Sequence, residues 1–295
     1  MRILQIGAPK SGNFWLYKIV EGILIRSDQY KPNFIEQQPI YQLAKTWELN
    51  YPEQAQIDMI DITDLQTSYR ISSIFRMPID SMEDYVSKTG HVWTHSPICK
   101  ASNEVFRYFD KKIYIIRDPR DRAISSANYH CSPYMLQYFP QPIKDPEDYL
   151  NIHFDRLIID WVWHVFDHLK YSREMDFLLL YYESFLFDFQ RELSRLLNYL
   201  EVELPVTDQQ DLEREMSFSS MKKQNPNHLK RGVFGYWRTQ LALEQRDKAK
   251  MIAGPLLDRL KYDDLENTGK FNPPHSFGDE IEDLRQELLV AQQTL

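Results

Sequence analysis

The sequence predicts a three-layer α/β fold, in which helices flank a central parallel sheet. Short apolar segments alternate along the chain with longer segments of helical period, as in parallel-sheet proteins. Two apolar segments, 112–116 and 177–182, are continuous, which is typical of strands buried on both faces. A glycine-containing turn joins the first strand directly to the first helix. Together these features favour an alternating order of strands and helices.

The predicted strands are short and the predicted helices are longer. Strands are expected at 2–6, 57–62, within 90–97, and at 112–116 and 177–182. Helices are expected at 14–25, 102–109, from Pro119 onwards, at 148–170, after an Asp188 cap, and at 241–260 and 279–293. Scattered prolines and aromatic residues predict irregular structure over 28–89 and a packed surface loop or lid over 129–142.

The sequence also predicts where domains begin and end. We expect a main domain at 1–265, a polar linker at 266–278 and a C-terminal amphipathic helix at 279–295. Within the main domain, functional loops should follow the carboxyl ends of parallel strands. The loops 7–13, 94–97 and 117–125 are therefore expected to converge.

Composition excludes several classes of function. The 295-residue chain has a formal net charge of −8, which argues against a general nucleic-acid binder. Its two cysteines, Cys99 and Cys131, do not form a disulfide framework, and no apolar run approaches the roughly 20 residues that cross a bilayer. We expect a soluble, cytoplasmic protein. An anionic ligand would need a local basic pocket.

The turn at 7–13 is the first candidate for such a pocket. Backbone N–H groups at the start of a helix, together with the helix dipole, favour a bound anion. Lys10 adds a cation and Ser11 adds a hydroxyl at the same point. The turn differs from an ATP-type P-loop, because Lys10 precedes Gly12 and no Gly-Lys-Ser/Thr ends it. A tight turn with a surface lysine is the alternative.

Two further segments could bind an anion. Arg117 ends an apolar strand, and Ser125 follows eight residues later. Lys230-Arg231-Gly232 is a basic group within an aperiodic segment. Alone, an arginine at a strand end is most often part of a surface ion pair, and Lys-Arg is most often a solvated charge run. Two separate anion sites would suit a ligand with two separate phosphate groups.

Taken in order, these segments resemble the soluble sulfotransferases that use 3′-phosphoadenosine 5′-phosphosulfate (PAPS). The family signature Pro-Lys-Ser-Gly-Thr-Thr-Trp matches Pro9–Trp15, and the signature Arg-Asn-Pro with a later serine matches Arg117–Pro119 with Ser125. The signature Arg-Lys-Gly-x-x-Gly-Asp-Trp-Lys matches Lys230–Arg238. Three shorter patterns also match: Thr-His-x-Pro at Thr94–Pro97, Tyr-Glu at Tyr182-Glu183 and Ser-Phe at Ser217-Phe218. The matches cover about residues 1–260. The resemblance implies a P-loop-like sulfotransferase fold with PAPS as co-substrate and no metal.

The resemblance also implies a role for each matching residue. Lys10 would stabilise the leaving phosphate, and Trp15 would pack against adenine. The full set of implied nucleotide-binding residues is Lys10, Ser11, Gly12, Asn13, Phe14, Trp15, Arg117, Ser125, Tyr182, Phe218, Lys230, Arg231 and Gly232. His95 would be the general base that removes the acceptor proton, a role suited to an ordinary histidine pKa near 6.5. A loop histidine bonded to backbone is the alternative.

The chain departs from the family pattern at several positions. Asn13-Phe14 replace two threonines, so hydroxyl donors to the 5′-phosphate are lost. Trp93 stands where many animal relatives have a lysine. Lys230-Arg231 has the reverse order of the family's Arg-Lys. Tyr236 replaces an aspartate. The family's dimerisation pattern is replaced by 241–243, so the oligomeric state stays open.

The acceptor and two competing functions also stay open. Aromatic residues in 28–90 and 129–146 favour a small, hydrophobic acceptor, and the resemblance implies that the group it offers is a hydroxyl or an amine. A P-loop nucleotide kinase is one alternative, although the sequence lacks Gly-Lys-Ser/Thr and an evident Mg²⁺-carboxylate strand. A non-catalytic relative that only binds the nucleotide is the other.

Overall fold

The computed structural model of the chain describes residues 1–224, 234–278 and 280–293. Its strands are β1 Ile3–Ile6, β2 Met59–Ile62, β3 Thr67–Ile71, β4 Phe75–Pro78, β5 His91–Thr94, β6 Lys111–Ile116 and β7 Phe177–Tyr181. They form a seven-stranded sheet in the order β4-β3-β2-β5-β1-β6-β7. The order and the helices between the strands confirm the predicted α/β fold.

The centre of the sheet is parallel. Strand β1 pairs in parallel with β5, with Ile3 opposite His91 and Ile6 opposite Thr94, and it also pairs in parallel with β6. Strands β2 and β5 are parallel as well, whereas β3 pairs antiparallel with both β2 and β4. The first strand is thus fully buried between two neighbours. The loops that follow β1 and β5 leave the same edge of the sheet.

The helices account for most of the remaining described residues. Their bounds are α1 Asn13–Arg26, α2 Ile40–Ala44, α3 Met82–Ser87, α4 Ser102–Phe106, α5 Pro119–His130, α6 Pro133–Tyr138, α7 Pro146–Tyr171, α8 Tyr182–Phe187, α9 Phe189–Leu200, α10 Val206–Met216, α11 Phe218–Gln224, α12 Trp237–Gln240, α13 Leu243–Arg259, α14 Tyr262–Thr268 and α15 Glu280–Gln292. Short 3₁₀ helices lie at Ile35–Gln37 and Pro52–Ala55.

Several predicted helix starts are confirmed by their caps. Asp188 caps α9, because its side chain accepts a hydrogen bond from the backbone N–H of Arg191. Asp118 caps α5 in the same way through Arg120 N, and Pro119 occupies the first turn. The predicted leucine face of α9 is buried along its length: Leu193, Leu196, Leu197 and Leu200.

Other sequence predictions were wrong in detail. The hairpin β3–β4 and helix α3 lie in a region predicted to be irregular, and helix α6 lies in the predicted loop 129–142. The helix predicted at 102–109 ends at Phe106, and its N-cap position is Ala101, which makes no side-chain cap. The helix predicted at 241–260 begins at Leu243, because Leu241 is extended and buried.

The chain divides into two compact units. Unit 1 takes in Met1–Gly7, Gly12–Ile115 and the described part of Asp188–Gly232. Unit 2 takes in Ala8–Ser11, Ile116–Phe187 and the described part of Val233–Leu295.

The C-terminal helix α15 packs inside unit 2. It lies against α13 and α7, and Leu284 and Leu288 are fully buried. The predicted linker is also held in this unit, since Tyr181 Oη donates a hydrogen bond to Pro274 O at 2.6 Å. The apolar stripe of α15 is therefore covered by its own chain. In the described ranges, we found no helix with both the length and the apolar character needed to span a bilayer.

Candidate functional site

The turn after β1 depends on two residues in the left-handed region of backbone space. Gly12 has φ 92° and is the N-cap of α1, whereas Lys10 has φ 70° although it carries a side chain. A non-glycine residue in this conformation is uncommon and is found where the surrounding structure holds it. The contacts around Pro9 and Lys10 in unit 2 supply that support.

Two arginines hold the backbone of the turn within unit 2. Arg117 Nη1 donates to Lys10 O at 3.2 Å, and Arg122 Nε donates to Pro9 O at 2.7 Å. Arg122 Nη1 also donates to Leu157 O at 2.9 Å, which ties the turn to α7. The guanidinium of Arg117 lies 4.3 Å from the centre of the Tyr182 ring. Arg117 is thereby fixed between the turn and an aromatic face.

The ammonium of Lys10 lies close to a second aromatic ring. Its Nζ is 4.5 Å from the centre of the Tyr129 ring, and the residue is half-buried. The loss of water around the ammonium, and next the positive charge of Arg117, lower the pKa of Lys10 from 10.5 to about 8. Two cations thus lie near each other where a bound anion would relieve their repulsion.

Ser11 adds an unused hydroxyl to this part of unit 2. The residue is fully buried, and within the described residues its Oγ has no hydrogen-bond partner. A buried hydroxyl without a partner is costly, so a ligand acceptor or donor at this point would be stabilising. Nε of Arg117 is likewise buried without a partner in the same described part of the chain. Both unused groups are suited to binding phosphate oxygens.

A network of buried carboxylates holds the start of α5. Glu183 accepts from Asp118 N and from Tyr262 Oη, both at 2.9 Å. Arg120 binds Asp118 through Nε at 2.9 Å and Nη2 at 2.7 Å. Burial, and next the charge of Asp118, raise the pKa of Glu183 to about 7. This network fixes the helix whose N-terminus follows Arg117.

Asp121 on the first turn of α5 holds a more distant segment. Its carboxylate accepts from Gly235 N at 2.6 Å and from Trp237 N at 2.8 Å. Burial, and next the charge of Asp118, raise the pKa of Asp121 to about 6. Gly235 and Trp237 belong to the matching segment Lys230–Arg238, so this contact fixes the described C-terminal part of that segment in unit 2.

His95 is held in unit 1 at the carboxyl end of β5. Because β1 and β5 are parallel neighbours, His95 and Gly7 leave the sheet side by side, and His95 Nδ1 lies 2.6 Å from Gly7 O. A carbonyl can only accept, so Nδ1 carries the proton and Nε2 of a neutral ring is the basic nitrogen. The buried Trp93 ring lies 5.1 Å from the imidazole at 77°.

The residues at the start of α1 have mainly packing roles in unit 1. Gln5 Nε2 donates to Asn13 O at 2.7 Å, and the buried Phe14 ring lies 4.4 Å from the Tyr51 ring. Trp15 Nε1 donates to Met216 O at 2.8 Å. The side chain of Phe14 therefore packs in the core of unit 1.

The side chain of Asn13 also explains why position 7 is occupied by glycine. A Cβ at Gly7 would overlap Asn13 Oδ1 and lie 2.7 Å from Ile115 Cγ2. Asn13 and Gly7 are thus matched to each other in unit 1. The replacement of a threonine by Asn13 is compatible with this turn because glycine leaves room for the longer amide.

We expect Gly7→Ala to lower the free energy of unfolding by about 1–3 kcal/mol, because the added methyl overpacks the turn. Urea denaturation would measure the change. Gly254→Ala is the matched control, since the nearest atom to its added Cβ is Lys250 Cγ at 4.0 Å. That variant should be neutral or more stable, because alanine favours a helix over glycine. Equal effects of the two substitutions would contradict the packing argument.

The structure describes some of the remaining predicted residues and not others. Ser125 is half-buried on α5, and Tyr182 is buried under Arg117. Lys230, Arg231 and Gly232, and the side chain of Phe218, lie outside the described residues. Sequence reasoning missed three residues that contact or support the turn and its neighbours: Asp121, Arg122 and Tyr129. In the described ranges, no group of three or more His, Cys, Asp or Glu is arranged to hold a metal ion.

Comparison with known families and proteins gives consistent matches. A family model described as a sulfotransferase domain matches residues 1–261. The chain is 23% identical over 261 residues to sulfotransferase 1 family member D1 of Rattus norvegicus, covering 81% of this chain and 78% of that protein. It is 25% identical over 266 residues to sulfotransferase 1B1 of Canis lupus familiaris, covering 83% and 79%.

Two solved structures have the same fold at low sequence identity. Mouse sulfotransferase SULT7A1 complexed with PAP matches with a TM-score of 0.54 and 17% identity, over 98% of this chain and 88% of that one. Retinol dehydratase in complex with androsterone and inactive cofactor PAP matches with a TM-score of 0.56 and 18% identity, over 92% and 84%.

Proposed function

The chain belongs to the sulfotransferase domain family, and from that premise we propose that it transfers a sulfuryl group from PAPS to a small acceptor. The acceptor group is a hydroxyl or an amine. The products are the sulfated acceptor and adenosine 3′,5′-bisphosphate, which is PAP. PAP also accompanies the two structural neighbours.

The observation that carries the proposal is the unsatisfied cationic turn in unit 2. Lys10 and Arg117 repel each other, Ser11 Oγ has no partner in the described part of the chain, and the pKa of Lys10 is lowered. Binding the phosphate groups of the donor at these residues would satisfy the hydroxyl of Ser11, offset the repulsion between the two cations and raise the pKa of Lys10. A simple surface lysine would have neither feature.

We assign the donor contacts by the matching signatures. Lys10, Ser11, Gly12 and Asn13 bind the 5′-phosphosulfate, with Phe14 contributing its backbone alone. Arg117 and Ser125, with Lys230, Arg231 and Gly232, bind the 3′-phosphate, for which the guanidinium of an arginine is well suited. Trp15, Tyr182 and Phe218 hold the base.

His95 and Lys10 carry out the transfer in this proposal. His95 Nε2 removes the proton from the acceptor hydroxyl, and the acceptor oxygen then forms a bond to sulfur. The bond between sulfur and the bridging oxygen breaks, and its electron pair stays on the phosphate of PAP. Lys10 stabilises that developing charge. The hydrogen bond from Nδ1 to Gly7 O keeps the imidazole in the tautomer that this step needs.

The acceptor is proposed to be small and hydrophobic. Aromatic residues of the region 28–90 support this, because Tyr41 and Tyr51 are buried there and Phe34 packs on Tyr69 and Tyr85. Retinol dehydratase, one of the structural neighbours, was solved with androsterone.

We also propose a compartment and a domain division. The free thiols of Cys99 and Cys131 support a reducing compartment such as the cytoplasm. The transferase domain is assigned to 1–265, followed by the segment 266–278 and the helical segment 279–295.

The donor assignment predicts a large thermal shift with adenosine 3′,5′-bisphosphate. A ligand at about 100 times its Kd stabilises a protein by about 2.7 kcal/mol, so the melting temperature should rise clearly. ATP with Mg²⁺ at the same concentration should raise it less. A larger shift with ATP and Mg²⁺ would favour a kinase. Binding of the bisphosphate without any sulfated product, by mass spectrometry over a broad acceptor panel, would favour a non-catalytic relative.

A further inference from the structure

The ammonium of Lys10 has an unusual set of neighbours in unit 2. Arg117, at the end of β6, contributes a positive charge that disfavours the ammonium. His130, on α5, has its pKa lowered by burial and next by the charge of Lys10. From α5, the ring of Tyr129 faces the ammonium, with its centre 4.5 Å from Nζ. Among the described residues, the charged group that shifts the pKa of Lys10 is the cation of Arg117.

The face of an aromatic ring can partly replace a negative counter-ion. Its quadrupole attracts an ammonium within about 6 Å of the ring centre, and the attraction is stronger when water is excluded. Lys10 meets both conditions, since it is half-buried and the distance is 4.5 Å. A carboxylate in the same place would also bind Lys10, but it would repel an incoming phosphate. A ring holds the cation without that repulsion.

We propose that Tyr129 is a positioning residue for Lys10, whose ring face holds the ammonium in place and offsets the repulsion from Arg117. The inference deepens the proposed function and rests on it for the role of Lys10 at the donor. Tyr129 does not touch the reacting atoms in this proposal; it acts through Lys10.

The position of Tyr129 is itself supported by neighbouring rings. It contacts the His130 ring at 5.7 Å with an interplanar angle of 69°, and the Tyr134 ring at 6.2 Å. His130 in turn stacks on Tyr149 at 5.0 Å and 14°. These contacts join α5, α6 and α7 around one aromatic cluster. These contacts therefore fix the position of the Tyr129 ring relative to Lys10.

The consequence is a charge on Lys10 that survives near neutral pH. With a pKa of about 8, the amine is mostly protonated at pH 7 and loses its proton as the pH rises through 8. Without the ring, the neutral amine would appear at lower pH. Affinity for an anionic nucleotide would then decline at a pH where the native protein still binds it.

The experiment is a direct titration of Lys10. Reductive methylation with ¹³C-formaldehyde gives lysine signals that titrate in NMR spectra, and Lys10→Arg identifies the signal of Lys10. We expect Tyr129→Leu to lower the pKa of Lys10 by about half a unit or more, as loss of a cation–π contact implies. Tyr129→Phe retains the ring and should keep the pKa within about 0.2 unit of the native value.

Control variants separate this role from general packing. Tyr138→Leu makes the same substitution in a tyrosine that packs on Tyr134, and it should leave the Lys10 titration unchanged. Tyr129→Met, whose unbranched and flexible side chain can fill the site differently, serves if Tyr129→Leu does not fold. An unchanged Lys10 pKa in the folded variant, or an equal shift in Tyr138→Leu, would overturn the inference.

Nucleotide affinity distinguishes failure of the inference from failure of the proposed function. The affinity for adenosine 3′,5′-bisphosphate is measured between pH 6.5 and 9.5. In the native protein it should fall as the pH rises above 8, and in Tyr129→Leu the fall should begin at a lower pH. Absence of binding at every pH in the native protein would contradict the proposed function. The NMR titration would still decide whether Tyr129 supports the charge of Lys10.

Discussion

Replacement of His95 by alanine is expected to lower kcat by about 10²–10⁴-fold, the usual contribution of a general base. The reason is that Nδ1 is committed to Gly7 O at 2.6 Å, so Nε2 is the basic nitrogen in the proposed role of His95 as the base. Affinity for adenosine 3′,5′-bisphosphate should be retained, because the donor contacts are assigned to other residues. Steady-state kinetics and isothermal calorimetry would measure the two quantities.

Two further variants make the His95 result specific. His95→Gln keeps a side-chain N–H that can donate to Gly7 O but has no basic nitrogen, so it should lose turnover and remain folded. His153→Ala removes a histidine that packs on Tyr149, and it should keep the native rate. Loss of nucleotide affinity together with turnover would show a structural role for His95. Normal turnover in His95→Ala would exclude it as the base.

The parts of the fold with local signals were predictable from sequence. The continuous apolar run before Arg117 predicted a buried central strand, and Asp188 predicted the start of α9 through its side-chain cap. The hairpin β3–β4 was missed because its turn places Ser72 at φ 51°, without the glycine or asparagine that usually marks such a turn. Pro78 in β4 also argues against a central strand, and it is tolerated at an edge.

The candidate site was predictable only in part. The order of the basic and hydroxyl-bearing segments could be read from the chain, because each follows a strand or begins a helix. The contacts of Tyr129 with Lys10 and of Arg122 with Pro9 join residues more than 110 positions apart, and sequence spacing carries no signal for them. The match between Asn13 and Gly7 likewise depends on how tightly the turn closes.

Lys10→Met is expected to lower kcat by about 10²–10³-fold, the usual cost of removing one group that stabilises transition-state charge. Methionine keeps an unbranched chain of similar length but removes the charge. Because Lys10 is proposed to act on the bridging oxygen as the bond to sulfur breaks, its loss should affect kcat more than the KM for PAPS. Initial rates over a range of donor concentrations would separate the two constants.

A control for net charge is needed, since the chain already carries a formal charge of −8. Lys144→Met removes an exposed cation from unit 2 and should leave both constants near their native values. Lys10→Arg restores a charge that does not titrate near pH 8, so its residual activity should not decline through that pH as the native activity does. A rise in KM with unchanged kcat in Lys10→Met would limit Lys10 to binding the donor. In that case the leaving phosphate would have to be stabilised by other groups, and Arg117 would be the next residue to test because it lies against the same turn.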